Sequence, residues 1–179
     1  MRGGKMKFTI QKFSSAFLIV FLFVTNVQAQ EVPSTGRSNS VTLDFNNNNY
    51  KALKRMREFI DEGKFQRAAD RASRFIKSNN NNLRNGSSMT PATLEAYNIL
   101  CVANTSLGQV EDGMEACNES IKNTPNSWES LKSRATLYYM TQDFKSSLSD
   151  FASALANSPN GAISDVLKQN IGVVKSKVQ

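Results

Sequence analysis

WESLKSRATLYYMTQDFKSSLSDFASALANSP, residues 128–159, has apolar residues at helical spacing on both sides of the turn triplet Gln142-Asp143-Phe144. In an antiparallel helical hairpin, residues at equal distances from the turn face each other. Here Ala135 would face Phe151, and Leu131 would face Ala154. Because small side chains meet large ones, the layers can fill without voids or overlaps. The stretch therefore predicts two helices folded against each other.

The same pattern occurs twice more upstream. Turn triplets stand at residues 63–65 and 108–110, and the second and third turns are 34 residues apart. Pro125 and Pro159 repeat at the same interval. The first and second turns are 45 residues apart, and a predicted Asn-rich loop at 79–88 supplies the extra length. The sequence thus predicts an array of three helical hairpins.

Side-chain sizes support this alignment independently of the turns. Three facing layers can be written for each hairpin, and eight of the nine join a larger residue to a smaller one. The eight pairs are Ala52–Phe75, Met56–Ala72, Phe59–Ala68, Tyr97–Ser120, Asn104–Gly113, Leu131–Ala154, Ala135–Phe151 and Tyr138–Ser147. The ninth pairs Cys101 with Cys117. Unrelated helices would rarely show this complementarity so often.

On these residues the chain resembles the tetratricopeptide repeat family. The third unit carries that family's signature residues at Leu131, Ala135, Tyr138, Ser147, Phe151, Ala154 and Pro159. The resemblance implies an all-α fold, a right-handed α-solenoid of about three helix-turn-helix hairpins. Its repeats would span about 49–82, 94–127 and 128–161. A further apolar stripe predicts a capping helix over 162–177, which completes a domain at 49–179.

Residues 1–29 have the order of a secretory signal peptide. A cationic opening precedes an apolar run at 16–24, and Val27 and Ala29 stand where a signal peptidase reads. We expect cleavage after Ala29, export to the periplasm or outside the cell, and no membrane insertion of the mature chain. The alternative is a short anchor or a buried strand. Residues 30–48 are polar and are predicted to be a flexible lead-in.

The composition argues against several function classes. The chain has no histidine, which removes the usual general base and zinc ligand. Without residues 1–29, 18 basic side chains stand against 15 acidic ones, so nucleic acid is not an expected partner. The Arg67-Arg71-Arg74 group and the Asp112-Glu115-Glu119 group are interpreted as solvated helix faces. We predict no enzyme activity, no cofactor and no metal site.

The two cysteines, Cys101 and Cys117, face each other in the middle hairpin of the alignment. Closely packed helices can bring their Cα atoms within disulfide distance, and export would place them in an oxidising compartment. A disulfide is therefore predicted. The alternative is a pair of buried free thiols.

The resemblance also implies a concave binding face, formed mainly by the first helix of each hairpin. The residues predicted to contact a partner are Lys54, Arg57, Asn98, Val102, Lys132, Thr136 and Tyr139. Of these, Lys54, Arg57 and Lys132 would give the face some cationic character. The chain departs from the family's carboxylate-clamp pattern, so that specificity is not expected. Two hypotheses remain: an exported module that binds a peptide or protein partner, or a self-associating structural subunit of an envelope or secretion assembly.

Overall fold

Seven α-helices and no strand make up the part of the chain that the computed structural model describes, residues 47–80, 89–159 and 161–178. The helices are α1 (Asn47–Asp61), α2 (Phe65–Asn80), α3 (Pro91–Leu107), α4 (Val110–Asn123), α5 (Trp128–Met140), α6 (Phe144–Asn157) and α7 (Ala162–Val178). All of the described residues belong to one compact unit, residues 43–179. The predicted all-α architecture is confirmed.

Two segment boundaries differ from the sequence prediction. Helix α1 begins at Asn47, so the last two residues of the predicted lead-in 30–48 are helical. Helix α2 continues to Asn80, into the predicted loop, and the side-chain amide of Asn79 donates from Nδ2 to the Phe75 carbonyl (2.8 Å). Because asparagine has low helix propensity, the sequence predicted too late a start for α1 and too early an end for α2. The predicted signal peptide, 1–29, lies outside the described residues.

All three hairpins turn at a residue with left-handed backbone conformation. Gly63, Gly108 and Gln142 have φ of 69°, 71° and 64°. In each turn the following N–H donates to the carbonyl five residues earlier, in the pairs Lys64–Phe59 (2.7 Å), Gln109–Asn104 (3.0 Å) and Asp143–Tyr138 (2.9 Å). This bond, which spans six residues, satisfies a carbonyl that the helix end would leave unpaired. The predicted turn positions are confirmed, and the three turns share one geometry.

Replacing Gln142 with glycine should raise the free energy of unfolding by about 0.5 kcal/mol. The left-handed conformation costs a residue with a Cβ about 1 kcal/mol, and the greater freedom of glycine in the unfolded chain offsets part of the gain. Urea unfolding followed by circular dichroism would measure the change. As a control, a Cβ added at Gly63 meets no atom within 4 Å. Gly63→Ala should therefore destabilise through backbone strain alone, and a stabilised Gly63→Ala would contradict the argument.

Most of the side chains that the sequence placed in facing layers are buried. Met56, Phe59, Ala68 and Ala72 are buried in one cluster of the first hairpin and α3. A second cluster, of the third hairpin and α7, contains Leu131, Ala135, Phe151, Ala154, Leu167 and Val174. Deleting a large side chain from such a core typically costs about 2–5 kcal/mol. Burial of these layers is therefore the main force that holds each hairpin closed.

Gly113 lies where the second and third hairpins pack closely against each other. A Cβ at this position would lie 3.0 Å from Cδ1 of Leu137 and 3.6 Å from Cβ of Asn104. Leu137 is fully buried. The glycine therefore provides space for a side chain of the third hairpin as well as for its predicted partner Asn104.

The order of helix packing builds a continuous array. Each helix packs against the next, and α1 also contacts α3 as α3 contacts α5. Three first helices thus lie side by side and present one common face. At the other end, α7 packs against α6 and buries Leu167 and Val174. None of the helices within the described ranges is long and apolar enough to cross a membrane.

Candidate functional site

An arginine on α1 links the three first helices across their common face. Arg57 donates from Nε to Oε1 of Glu95 on α3 (2.7 Å). It also donates from Nη1 and Nη2 to the two carboxylate oxygens of Glu129 on α5 (3.0 and 2.8 Å). These contacts join residues 38 and 72 positions apart. The planar guanidinium suits such forked binding, so one side chain ties together all three hairpins.

The charge of Arg57 is compensated by its two partners. Burial disfavours the charged guanidinium, but the carboxylates of Glu129 and Glu95 outweigh that effect and raise the pKa of Arg57 above its ordinary value. Arg57 is one of the three residues predicted from the sequence to make this face cationic. The structure corrects that expectation, because the positive charge is already paired within the molecule.

Asn98 lies inside the same network instead of projecting from the face. It is buried, donates from Nδ2 to Oε2 of Glu129 (2.7 Å) and accepts at Oδ1 from the Ser130 hydroxyl (2.8 Å). The Ser130 hydroxyl also lies 2.7 Å from that of Ser120 on α4. A buried polar group needs such partners, and here they hold the Glu129 carboxylate in place. Asn98 therefore positions other side chains, which corrects its predicted availability to a partner.

The other predicted residues remain at the surface. Lys54 is exposed, and Val102, Lys132, Thr136 and Tyr139 are half-buried. The Lys132 ammonium lies 5.9 Å from the centre of the Trp128 ring. Burial lowers the pKa of Lys132, although the nearby Glu129 carboxylate acts in the opposite direction. The Tyr139 ring packs edge-on against Phe144, with ring centres 5.6 Å apart. We call Lys54, Val102, Lys132, Thr136 and Tyr139 together the first-helix face.

The sequence matches no model of a known protein family, and no curated protein matches it. Among solved structures, the crystal structure of the P58(IPK) TPR domain is similar with a TM-score of 0.61 and 15% sequence identity. The match covers 73% of this chain and 34% of that one, so this chain spans about a third of its neighbour's length. The chain has the tetratricopeptide repeat fold.

Within the tetratricopeptide array, sequence reasoning missed both carboxylates that Arg57 contacts. Glu95 and Glu129 stand 34 residues apart, at the same position of two successive repeats. That recurrence on the first helices was the available signal. It was overlooked because glutamate on an exposed helix face is common and a pairing partner 72 residues away leaves no local pattern.

The tetratricopeptide hairpin α3–α4 contains the two cysteines. Cys101 and Cys117 are fully buried and joined by a disulfide, with Cα atoms 4.6 Å apart. Their sulfurs lie in one cluster with Ala116 and Leu137. The bond thus links the two helices of the central hairpin at the place where Leu137 of the third hairpin packs against them.

Proposed function

We propose that the first-helix face binds a peptide or protein partner without catalysing a reaction. The single observation behind this proposal is the bracing of α1, α3 and α5 by Arg57, Glu95 and Glu129. A face whose supports are fixed before binding loses less conformational freedom when a partner docks. Interaction with other proteins is also the typical use of this solenoid architecture.

The chemistry of the face favours a partner that carries both acidic and apolar side chains. Lys132 lacks a carboxylate within ion-pair distance among the described residues, since Glu129 is held by Arg57 and Asn98. The Lys132 side chain is half-buried, and its ammonium lies beside the Trp128 ring. Val102 and Tyr139 add apolar surface to the first-helix face. An acidic residue of the partner could approach Lys132 while apolar residues contact the others.

We also propose that the mature chain acts after export, to the periplasm or outside the cell. The support is the order of cationic, apolar and small residues in positions 1–29. Mass spectrometry of the purified protein's N-terminus tests this proposal independently of binding. A mature chain that begins at Gln30 is the expected result, and a retained Met1 in correctly localised protein would contradict it.

A site-specific photo-crosslinker at Lys54 or Thr136 should capture one partner from the native exported fraction. These positions lie on α1 and α5 of the proposed face, whereas Ser149 is exposed on α6 and serves as the control position. Lys132→Glu should weaken binding of the captured partner about tenfold, as expected when a partly buried cation is reversed. Lys145→Glu, on exposed α6 surface, should not.

Equal capture from Ser149, or equal binding by Lys132→Glu and wild type, would place the binding surface elsewhere. Each variant should first be shown to unfold at the wild-type temperature. A loss of binding can then be assigned to the face and not to the fold.

A further inference from the structure

Two arginines on α2 are held in place without an acidic partner. The guanidinium carbons of Arg67 and Arg71 lie 4.5 and 5.5 Å from the centre of the Phe59 ring, which is fully buried. No ion pair or hydrogen bond engages either guanidinium in the described part of the chain. Arg55 also lies over this ring, but its charge is paired with Glu58 (2.7 Å). Stacking restricts Arg67 and Arg71 while leaving their N–H donors available.

A matching set of carboxylates lies on α4. Asp112 and Glu115 are exposed, and neither makes an ion pair within the described residues. They line a groove of about 550 Å³ between α2 and α4, and Asp70 lines it from the α2 side. Lys77 on α2 lines the groove as well, so three carboxylates and one ammonium leave it with a net negative charge, which favours occupation by a cationic group.

The two sets have the same spacing in opposite directions. We call Arg67, Arg71 and Arg74 the basic ridge, and Asp112, Glu115 and Glu119 the acidic strip. Steps of four and then three residues lead along the ridge from Arg67, and the same steps lead along the strip backwards from Glu119. At 1.5 Å rise per residue, both span about 10.5 Å. Two helices packed antiparallel would therefore bring three opposite charges into register, of which Glu119 also lies 3.6 Å from the Lys122 ammonium on its own helix.

The first and second hairpins also carry net charges of opposite sign. Residues 47–80 contain nine basic and four acidic side chains, whereas residues 91–123 contain one basic and five acidic ones. The first hairpin of one molecule is thus electrostatically complementary to the second hairpin of another.

We propose that the chain self-associates, with the basic ridge of one copy docking antiparallel against the acidic strip of a second copy. The contact lies on the second helices, so it is separate from the first-helix face and goes beyond the proposed function. Because the attraction is largely between exposed charges, association should weaken at least about tenfold between low and high salt.

Charge reversal of each surface tests the proposal. Sedimentation velocity on the purified protein, at concentrations on the order of 100 µM and low salt, should show a dimer or larger species that dissociates as salt is added. The variant R67E/R71E/R74E and the variant D112R/E115R/E119R should each be monomeric. An equimolar mixture of the two should associate again, because each reversed surface then meets an opposite charge.

Two controls distinguish a lost contact from a lost fold. K145E/K168E/K175E lowers the net charge by the same amount as R67E/R71E/R74E. Its substitutions lie at exposed positions of α6 and α7, so it should leave association unchanged. If R67E/R71E/R74E melts early because Phe59 loses its cover, the neutral R67Q/R71Q/R74Q reports on the same contact. A wild-type protein that stays monomeric at low salt, or reversed variants that do not associate when mixed, would overturn the proposal. The capture of a partner by a photo-crosslinker at Lys54 or Thr136 tests the proposed function, and neither of these two results would change it.

Discussion

Replacing Arg134 with methionine is expected to lower the free energy of unfolding by about 2–3 kcal/mol. Arg134 donates from Nε and Nη2 to the two carboxylate oxygens of Asp150 (2.6 and 3.0 Å) and from Nη1 to Oδ1 of Asn118 (2.9 Å). Asp150 is only 7% exposed. The variant would leave its carboxylate buried without a cation, and this desolvation penalty is the source of the loss. Urea unfolding at neutral pH measures it.

A double variant separates the desolvation penalty of an unpaired Asp150 from the stabilisation that the ion pair itself provides. Replacing both partners, as in R134M/D150L, should recover most of the loss, because an apolar pair of similar size avoids the unpaired charge. Lys168→Met is the matched surface control, since Lys168 and Asp165 form an exposed ion pair (3.2 Å) and its loss should matter by less than about 0.5 kcal/mol. An Arg134→Met variant as stable as Lys168→Met would show that water reaches Asp150 and that the pair contributes little.

The hairpin framework was predictable because its determinants are local or strictly repeated. A left-handed turn requires a residue that tolerates positive φ, and Gly63 and Gly108 reveal such turns directly. Gln142 carries no such preference, and only its 34-residue distance from Gly108 identified it. The facing layers were predictable for the same reason, since the turn fixes which residues oppose each other.

The chemistry of the first-helix face was less predictable, since it depends on how the hairpins pack against each other. Arg57 was taken for a free cation because nothing near it in sequence indicates that it contacts Glu129. Asn98 was expected at the surface, yet Ser130 of the next hairpin accommodates its amide in the interior. Long side chains that bridge repeats depend on the angle between hairpins, which hydrophobic periodicity does not encode.

Reduction of the disulfide between Cys101 and Cys117 should lower the free energy of unfolding by about 3 kcal/mol. The bond closes a loop across a sequence separation of 16 residues, and loops of that size restrict the unfolded chain by about this amount. For a domain of this size the melting temperature should fall by roughly 10 °C. Calorimetry of the protein with and without a reductant, each sample alkylated after denaturation to count thiols, would measure the effect.

The variant C101A/C117A is the control for direct effects of the reductant. It cannot form the bond, so its melting temperature should be the same in both conditions and lie near that of the reduced wild type. The small cavities left by the two sulfurs would lower it somewhat further, because both side chains are fully buried between α3 and α4. Two alkylated thiols in unreduced protein would show instead that Cys101 and Cys117 pack as free thiols, and the stability of the central hairpin would then come from its buried layers alone.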